Sequence, residues 1–210
     1  MVAGCLALAV MACSGADGQE QAEVHYDAGV ELQENGQLSE AIAEYDLAIE
    51  SQPALTSAYM NRGVAYKDLG ETERAIQDLD EALRLHPQFF QAYFNRALAY
   101  TDLGQYERAI EDYDQVALLN KDFFQVYFNR GVTLDDLGKH QKAIEDFNQA
   151  LRLKPGNAEV LLNRGVSYSR LSEFVPAVED FKEAAAADPS MVAAHMNLGR
   201  TYNRFGEFDQ

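Results

Sequence analysis

Apolar and small residues recur at helical spacing along most of the chain, and short polar segments separate the runs. In one run they fall at Ala75, Ile76, Leu79, Ala82 and Leu83. This spacing places them on one face of an α-helix, because a helix turns once in 3.6 residues. The pattern therefore predicts a series of short amphipathic helices.

The same pattern returns every 34 residues. The clearest landmark is an asparagine that recurs at this step, at Asn61, Asn95, Asn129, Asn163 and Asn197. Two further landmarks keep the step: alanine at Ala41, Ala75, Ala109, Ala143 and Ala177, and a large apolar residue at Tyr45, Leu79, Tyr113, Phe147 and Phe181. A period of this length predicts an array of stacked units, each burying its apolar face against its neighbours.

Glycine and proline divide each unit into two helices. Glycine follows the first helix at Gly36, Gly70, Gly104 and Gly138, and Ser172 takes its place in the fifth unit. Glycine at this position is typical of a left-handed C-terminal cap. Proline follows the second helix at Pro53, Pro87, Pro155 and Pro189, because it cannot continue a helix.

The repeat resembles the tetratricopeptide repeat, a 34-residue helical hairpin. Gly63, Tyr66, Ala75, Leu79, Ala82 and Pro87 match its pattern in one copy, and Gly131, Leu134, Ala143, Phe147, Ala150 and Pro155 in another. The resemblance implies an all-α fold, a right-handed α-solenoid of antiparallel helix pairs. The repeats occupy 22–55, 56–89, 90–123, 124–157 and 158–191, and residues 192–210 hold the first helix of an incomplete sixth.

The resemblance also implies a protein or peptide as the partner, bound in a groove lined by the first helix of each pair. Positions that match the groove of such arrays are Asn61, Asn95, Asn129, Asn163 and Asn197. An amide side chain offers a donor and an acceptor, which match one peptide unit of an extended ligand. We therefore expect this asparagine ladder, which we call the asparagine row, to hold the ligand's backbone.

The residues around the asparagine row would set specificity. Met60, Phe94, Phe128 and Leu162 form an apolar groove floor if they are exposed, and otherwise they belong to the core between repeats. Acidic residues mark one end of the groove, at Asp68, Asp102 and Asp136, and Arg170 makes the other end basic. The expected ligand is apolar, basic towards the first repeats and acidic towards the last.

Four arginines that follow asparagines of the row allow two interpretations. Arg62, Arg96, Arg130 and Arg164 recur together with Asp78, Asp112, Asp146 and Asp180 on the partner helix. The arginines could form a basic ladder for an acidic ligand. We favour structural pairing within each repeat, because an arginine fork suits a partly buried carboxylate.

Composition excludes several functions. The net charge of −17 argues against nucleic acid as a partner, because phosphate neutralisation needs clustered lysine and arginine. No two of the four histidines have helical metal-site spacing, and the glycines form no phosphate loop. We therefore expect no enzyme activity, no catalytic residue, no metal and no cofactor. An accessory subunit that presents substrates to a partner enzyme remains an alternative.

The first segment, residues 1–21, reads as a signal peptide followed by a tether. A short apolar run ends at Val10-Met-Ala-Cys13, which resembles a bacterial lipobox. The resemblance implies lipidation at Cys13 and a lipid-anchored position in the bacterial cell envelope, with the membrane reached only through the anchor. No lysine or arginine precedes Arg62, which departs from the pattern. Secretion by another route and a cytoplasmic location are the alternatives.

The last segment carries an apolar helix without a partner helix. Val192, Met196, Leu198, Tyr202 and Phe205 lie on it. Because terminal units of such arrays usually present a polar face, this end indicates either a fragment of a longer chain or self-association through the open C-terminal end. The second functional hypothesis is therefore a structural, self-assembling subunit of a membrane-associated complex.

Overall fold

The structure, a computed structural model, describes the backbone of residues 3–208 and the side chains of residues 18–204. The described backbone is helical throughout, with short turns between helices. The helices are α1 (Ala3–Glu34), α2 (Leu38–Ser51), α3 (Thr56–Asp68), α4 (Thr72–Leu85), α5 (Phe90–Asp102), α6 (Tyr106–Leu119), α7 (Phe124–Asp136), α8 (His140–Leu153), α9 (Ala158–Arg170), α10 (Phe174–Ala187) and α11 (Val192–Phe208). The all-α fold expected from the sequence is confirmed.

The helices alternate in role, as the two-helix repeat predicts. The odd-numbered helices α3, α5, α7, α9 and α11 begin at the first residues of the predicted repeats. The predicted boundary at residue 21 falls inside α1, which is continuous across it. The first helices α1, α3, α5, α7 and α9 are each followed by a second helix after a turn of three residues.

The chain divides into two compact units, residues 1–103 and 104–210. In the first unit α1 packs on α2 and α3 on α4, and in the second α7 packs on α8 and α9 on α10. Within each unit, first helices of neighbouring repeats also contact each other, α1 with α3 and α3 with α5, and α7 with α9 and α9 with α11. First helices therefore form one layer of each unit.

Large side chains of the second helices fill the space that small residues of the first helices leave. Phe147 is completely buried, and its ring lies so close to Gly131 that an added Cβ there would be 2.7 Å from it. Phe181 meets Gly165 in the same way. A glycine at this position lets the two helices of a pair approach closely, and the buried ring packs against it.

The turns between paired helices have the predicted left-handed residue. Gly36, Gly70, Gly104 and Gly138 have φ of 76°, 81°, 68° and 75°. In the fifth repeat Ser172 adopts the same conformation, with φ of 64°. A serine has a Cβ that crowds the backbone there, so this repeat retains a small local strain.

We expect Ser172→Gly to raise the stability of the protein by about 1 kcal/mol, because glycine adopts positive φ without a steric cost. Gly138→Ser makes the reverse change in the preceding repeat, and we expect it to lower stability by a similar amount. Urea denaturation followed by circular dichroism measures both. A destabilised Ser172→Gly variant would show that serine is not strained in this turn.

A second expectation concerns the first unit, where Tyr45 is completely buried. Its hydroxyl donates to Oε1 of Gln33 at 2.7 Å. Burial disfavours the phenolate and, with smaller contributions from Tyr26 and Glu34, raises the pKa of Tyr45 to about 12 although a hydrogen bond from Asn61 lowers it. An unfolded tyrosine ionises near pH 10.

Between about pH 10 and pH 12 the unfolded chain therefore releases the Tyr45 proton that the folded chain keeps, and stability must fall as the pH rises. We expect Tyr45→Phe to lose less stability over this range than the wild type, by up to about 2 kcal/mol. Urea denaturation at a series of alkaline pH values tests this. Equal losses in both proteins would contradict the raised pKa.

Candidate functional site

The asparagine row lies on the first helices, and three of its members share one conformation. The Nδ2 atoms of Asn95, Asn129 and Asn163 donate to the backbone oxygen four residues earlier, at 2.9, 2.9 and 2.8 Å. A carbonyl oxygen can only accept, so the contacting atom must be nitrogen. Each Oδ1 accepts no hydrogen bond from a described residue, and each amide is half-buried. Each of these three oxygens is therefore a fixed acceptor on the first helix that carries it.

Asn61 differs from these three. Its Nδ2 donates to the hydroxyl of Tyr26 at 3.0 Å, in the first helix of the preceding repeat. Asn95 also reaches back one repeat, to Sδ of Met60 at 3.8 Å. Asn197 is half-buried on α11. Asn61 thus contributes to packing between α1 and α3.

The apolar neighbours of the asparagines contribute both to the core and to the surface. Met60, Phe94, Phe128 and Leu162 are all half-buried. Met60 packs against a buried cluster that includes Leu79 and Leu83, and Leu162 packs against Leu161 and its neighbours. Phe128 stacks on Phe124 with ring centroids 6.3 Å apart. The sequence did not decide whether these residues form a groove floor or belong to the core. In the structure they belong partly to each.

The acidic residues predicted at one end of the groove are exposed. Asp68, Asp102 and Asp136 lie at the last positions of α3, α5 and α7. Asp68 accepts from Lys67 at 2.8 Å, and its side chain stays 42% exposed. An ion pair this exposed contributes little to stability, so the carboxylate can exchange Lys67 for another cation.

Arg170, predicted as the basic end, is bound by a carboxylate that the sequence analysis did not single out. Asp135 is buried and accepts hydrogen bonds from Arg170, from His140 at 2.7 Å and from Ser167 at 2.8 Å. This cluster ties α7, α8 and α9 together. Arg170 remains 45% exposed, but Asp135 offsets its charge. The serine bonds to the aspartate and not to the histidine, so the three residues do not form a nucleophilic relay.

The structural interpretation of the arginines is confirmed in three repeats. Arg130 donates to both carboxylate oxygens of Asp146, at 2.8 and 2.7 Å. Arg62 pairs with Asp78 and Arg164 with Asp180 in the same two-bond geometry. In the fourth expected pair, Arg96 belongs to the first unit and Asp112 to the second.

Each of the four arginines also has a partner in the preceding repeat that sequence reasoning missed. Arg130 donates to Asp114 at 2.6 Å, Arg96 to Asp80 at 2.5 Å and Arg164 to Asn148 at 2.6 Å, each 16 residues upstream on the second helix of the preceding repeat. Arg62 reaches Asp46 in the same way. Each arginine therefore joins two successive repeats. The recurring acidic or amide residue 16 positions before each arginine was a visible signal for this contact.

Burial and pairing act together on these groups. Burial opposes the charge of Arg130, but hydrogen bonds and attraction from Asp146 and Asp114 outweigh it and raise the pKa of the guanidinium. Burial raises the pKa of Asp146, although Arg130 partly offsets the shift. Burial raises the pKa of Asp180 in the same way. The arginines are therefore occupied structurally and do not form a basic ladder.

No group of three or more metal-ligating side chains occurs among the residues whose side chains are described. Within the same part of the chain, no helix is both long and apolar enough to cross a membrane. The predicted lipidation site, Cys13, lies outside the described side chains.

Comparison with known proteins places these features in a family. A tetratricopeptide repeat model matches residues 26–88, 60–118, 94–158 and 162–210, which together include most of the chain. No curated protein matches the sequence.

Solved structures give the same fold. A crystal structure of MamA is 25% identical, with a TM-score of 0.75, over 81% of this chain and 93% of that one. YrrB, described as a TPR protein with an unusual peptide-binding site, is 23% identical with a TM-score of 0.72, over 82% of this chain and 89% of that one. A tetratricopeptide repeat protein from Parabacteroides merdae is 20% identical with a TM-score of 0.78, over 89% and 74%.

Proposed function

Because the chain belongs to the tetratricopeptide repeat family, we propose that it is a protein–protein interaction scaffold that holds an extended peptide on its asparagine row. The observation that carries the proposal is the conformation that Asn95, Asn129 and Asn163 each adopt on their own helix. Their Nδ2 atoms are bound internally, and their Oδ1 atoms remain as acceptors. An acceptor that is held in place loses little conformational freedom on binding, and this favours affinity.

The peptide's backbone N–H groups are the donors that fit these acceptors. The second Nδ2 proton of each amide can donate to a carbonyl of the same peptide. The half-buried side chains beside the row, such as Phe128 and Leu162, then offer partial apolar contact for the ligand's side chains. The description of YrrB supports a peptide as a ligand class for this architecture.

Charge adds a preference at one end of the row. Asp68, Asp102 and Asp136 are exposed, so a peptide with basic residues towards the first repeats is favoured. The attraction expected of Arg170 for an acidic residue is weakened, since Asp135 already binds its guanidinium. The ligand we propose is therefore apolar and basic, and its acidic end contributes less than the sequence suggested.

Selection from a displayed library of random peptides tests the proposal directly. The immobilised bait is the chain from residue 22 to residue 210, and the binding of selected peptides is then measured by isothermal titration calorimetry. We expect enriched peptides to carry lysine or arginine together with apolar residues. Selection of no peptide, or of peptides that bind equally to variants of the row, would contradict the proposal.

A second candidate function, self-association, rests on exposed apolar side chains of α10 and α11. Val175, Val192 and Met196 are 58%, 67% and 52% exposed. A depression of about 230 Å³ lies beside them, lined by Phe174, Val175, Val178, Glu179, Lys182 and Tyr202. A second copy of the chain could cover this face. Light scattering after size exclusion should then show a dimer that Val175→Glu with Met196→Glu converts to a monomer, and a monomeric wild type would oppose the idea.

For the location, we propose a lipid anchor at Cys13 in a bacterial cell envelope. The support is the apolar run before Cys13 and the small and polar residues that follow it. In bacterial cells, Cys13→Ser is expected to move the protein from the membrane fraction to the soluble fraction. An unchanged distribution would oppose the anchor.

A further inference from the structure

One repeat lacks a ring that other repeats place beside their arginine. The ring centroid of Tyr66 lies 6.0 Å from the guanidinium of Arg62, and Tyr168 lies at the same distance from Arg164. In the fourth repeat the corresponding residue is Leu134, which is buried beside Arg130. An isobutyl group is shorter than a phenol, so the fourth repeat has less side-chain volume at this place.

A cavity that is open to solvent lies beside Leu134 and Arg130. It has a volume of about 330 Å³ and is lined by Ile110 and Asp114 of α6, Arg130 and Leu134 of α7, and Lys139, Lys142, Glu145 and Asp146 around α8. All of these residues belong to the second unit. None is a member of the asparagine row, so the cavity is separate from the proposed peptide site.

In the second repeat a tyrosine, an arginine and a glutamate occupy this place. The guanidinium of Arg74 lies 4.0 Å from the ring centroid of Tyr66 and donates to its hydroxyl at 2.5 Å. Glu71 accepts from Arg74, also at 2.5 Å. A phenol ring, a cation over the ring and a carboxylate beside the cation thus form a closed set.

The fourth repeat keeps a cation and loses the other two groups. The residues at the positions of Tyr66, Arg74 and Glu71, 68 residues further on, are Leu134, Lys142 and Lys139. The ring is missing, and a second cation stands in place of the carboxylate. Lys139 and Lys142 are exposed, and their ammonium groups have no hydrogen bond or ion pair with any described residue.

Two of the three cations that line this cavity have no carboxylate partner among the described residues. Asp146 and Asp114 are already bound by Arg130. Glu145 is the one further acidic lining residue, so the three acidic and three basic side chains of the lining balance in number, but Glu145 forms no ion pair with Lys139 or Lys142. In a chain with a net charge of −17, two ammonium groups without such a partner are a local exception. They favour an anionic ligand.

We propose that this cavity is a binding site for a small aromatic carboxylic acid, which supplies the ring and the carboxylate that the fourth repeat lacks. The ring lies over Leu134 and Ile110 with its face towards the Arg130 guanidinium, in the place that Tyr66 takes beside Arg62. The carboxylate accepts hydrogen bonds from the ammonium groups of Lys139 and Lys142. A phenolic hydroxyl on the ring reproduces the hydroxyl of the missing tyrosine.

The probe is 4-hydroxyphenylacetate, titrated into the full chain by isothermal titration calorimetry. We expect saturable binding with one site per chain. Leu134→Tyr should abolish it, because the new ring fills the cavity, and the variant should fold because tyrosine occupies this position in other repeats. 4-Methylphenol, which lacks the carboxylate, should bind at least tenfold more weakly than the acid.

Lys139→Glu restores the carboxylate that Glu71 supplies in the second repeat. It should weaken the binding of the probe at least tenfold. The matched control is Lys121→Glu, the same charge change at an exposed lysine outside the cavity, and it should bind as the wild type does. No binding of the acid at millimolar concentration would overturn the site. Equal binding by wild type and Leu134→Tyr, or by Lys139→Glu and Lys121→Glu, would overturn it as well.

Discussion

Replacing Asn129 and Asn163 together by alanine is expected to weaken the binding of selected peptides by roughly 30- to 150-fold. Each asparagine amide is expected to hydrogen-bond one peptide unit of the ligand, and a net hydrogen bond in such a site contributes about 1–1.5 kcal/mol. Two lost contacts therefore remove about 2–3 kcal/mol of binding free energy. The two asparagines lie on α7 and α9 of the same unit, whose first helices contact each other.

The variant should keep its stability, because each amide bonds internally only to the backbone of its own helix. We expect the midpoint of thermal unfolding to change by no more than a few degrees. The matched control is Gln115→Ala with Gln141→Ala, two exposed amides on the second helices of the same unit. If both double variants bind alike, the asparagines do not hold the ligand.

The sequence predicted the helices and their pairing well, because both depend on residues that repeat. The 34-residue step located the first helices, and the glycine positions gave the left-handed turns, including the one at Ser172. The pairing of Arg130 with Asp146 could be predicted since both residues recur at the same step. Periodic residues reveal contacts within a repeat, where the geometry is the same each time.

Contacts that depend on a single substitution could not be predicted in this way. Asp135, which binds Arg170, has threonine or serine at the corresponding positions Thr101 and Ser169. Leu134 leaves the space beside Arg130 less filled than the tyrosine that other repeats have at this position. The spacing of residues along one helix does not show which side chains of the next helix lie opposite. The environments of Arg170 and Leu134 therefore had to come from the structure.

The mixed environment of the apolar residues beside the row has a similar cause. Met60 and Leu162 are spaced as groove residues, and yet each packs partly against a buried cluster. A helix in a stacked array contacts neighbours on more than one side, so a single residue can lie at the border of two surfaces. Periodicity predicts the face of the helix on which a side chain lies, but it does not predict how much of that side chain is exposed.

Arg130→Met is expected to lower the free energy of unfolding by about 3 kcal/mol at neutral pH. The substitution keeps an unbranched apolar stem and removes the guanidinium, so Asp146, with a side chain only 10% exposed, would carry an uncompensated charge. The contact to Asp114 on the preceding repeat is lost as well. For a protein of this size, the loss corresponds to a decrease of roughly 10 °C in the unfolding midpoint.

The control is Arg152→Met, an exposed arginine on α8, which should change stability by less than about 0.5 kcal/mol. The pH dependence separates charge from packing. Arg130 holds the pKa of Asp146 down against burial, so the variant raises this pKa further above that of the unfolded chain. The folded variant then keeps a proton that the unfolded chain releases, and its stability falls as the pH rises.

Acidification should therefore reduce the difference between Arg130→Met and the wild type, because a neutral Asp146 needs no partner charge. Urea denaturation at pH 7 and at about pH 4.5 measures this difference. Asp146→Asn in the Arg130→Met background should recover part of the loss at pH 7, since it removes the buried charge at nearly constant volume. A loss that is the same at both pH values and is not reduced by Asp146→Asn would mean that Arg130 acts through the packing of its stem alone.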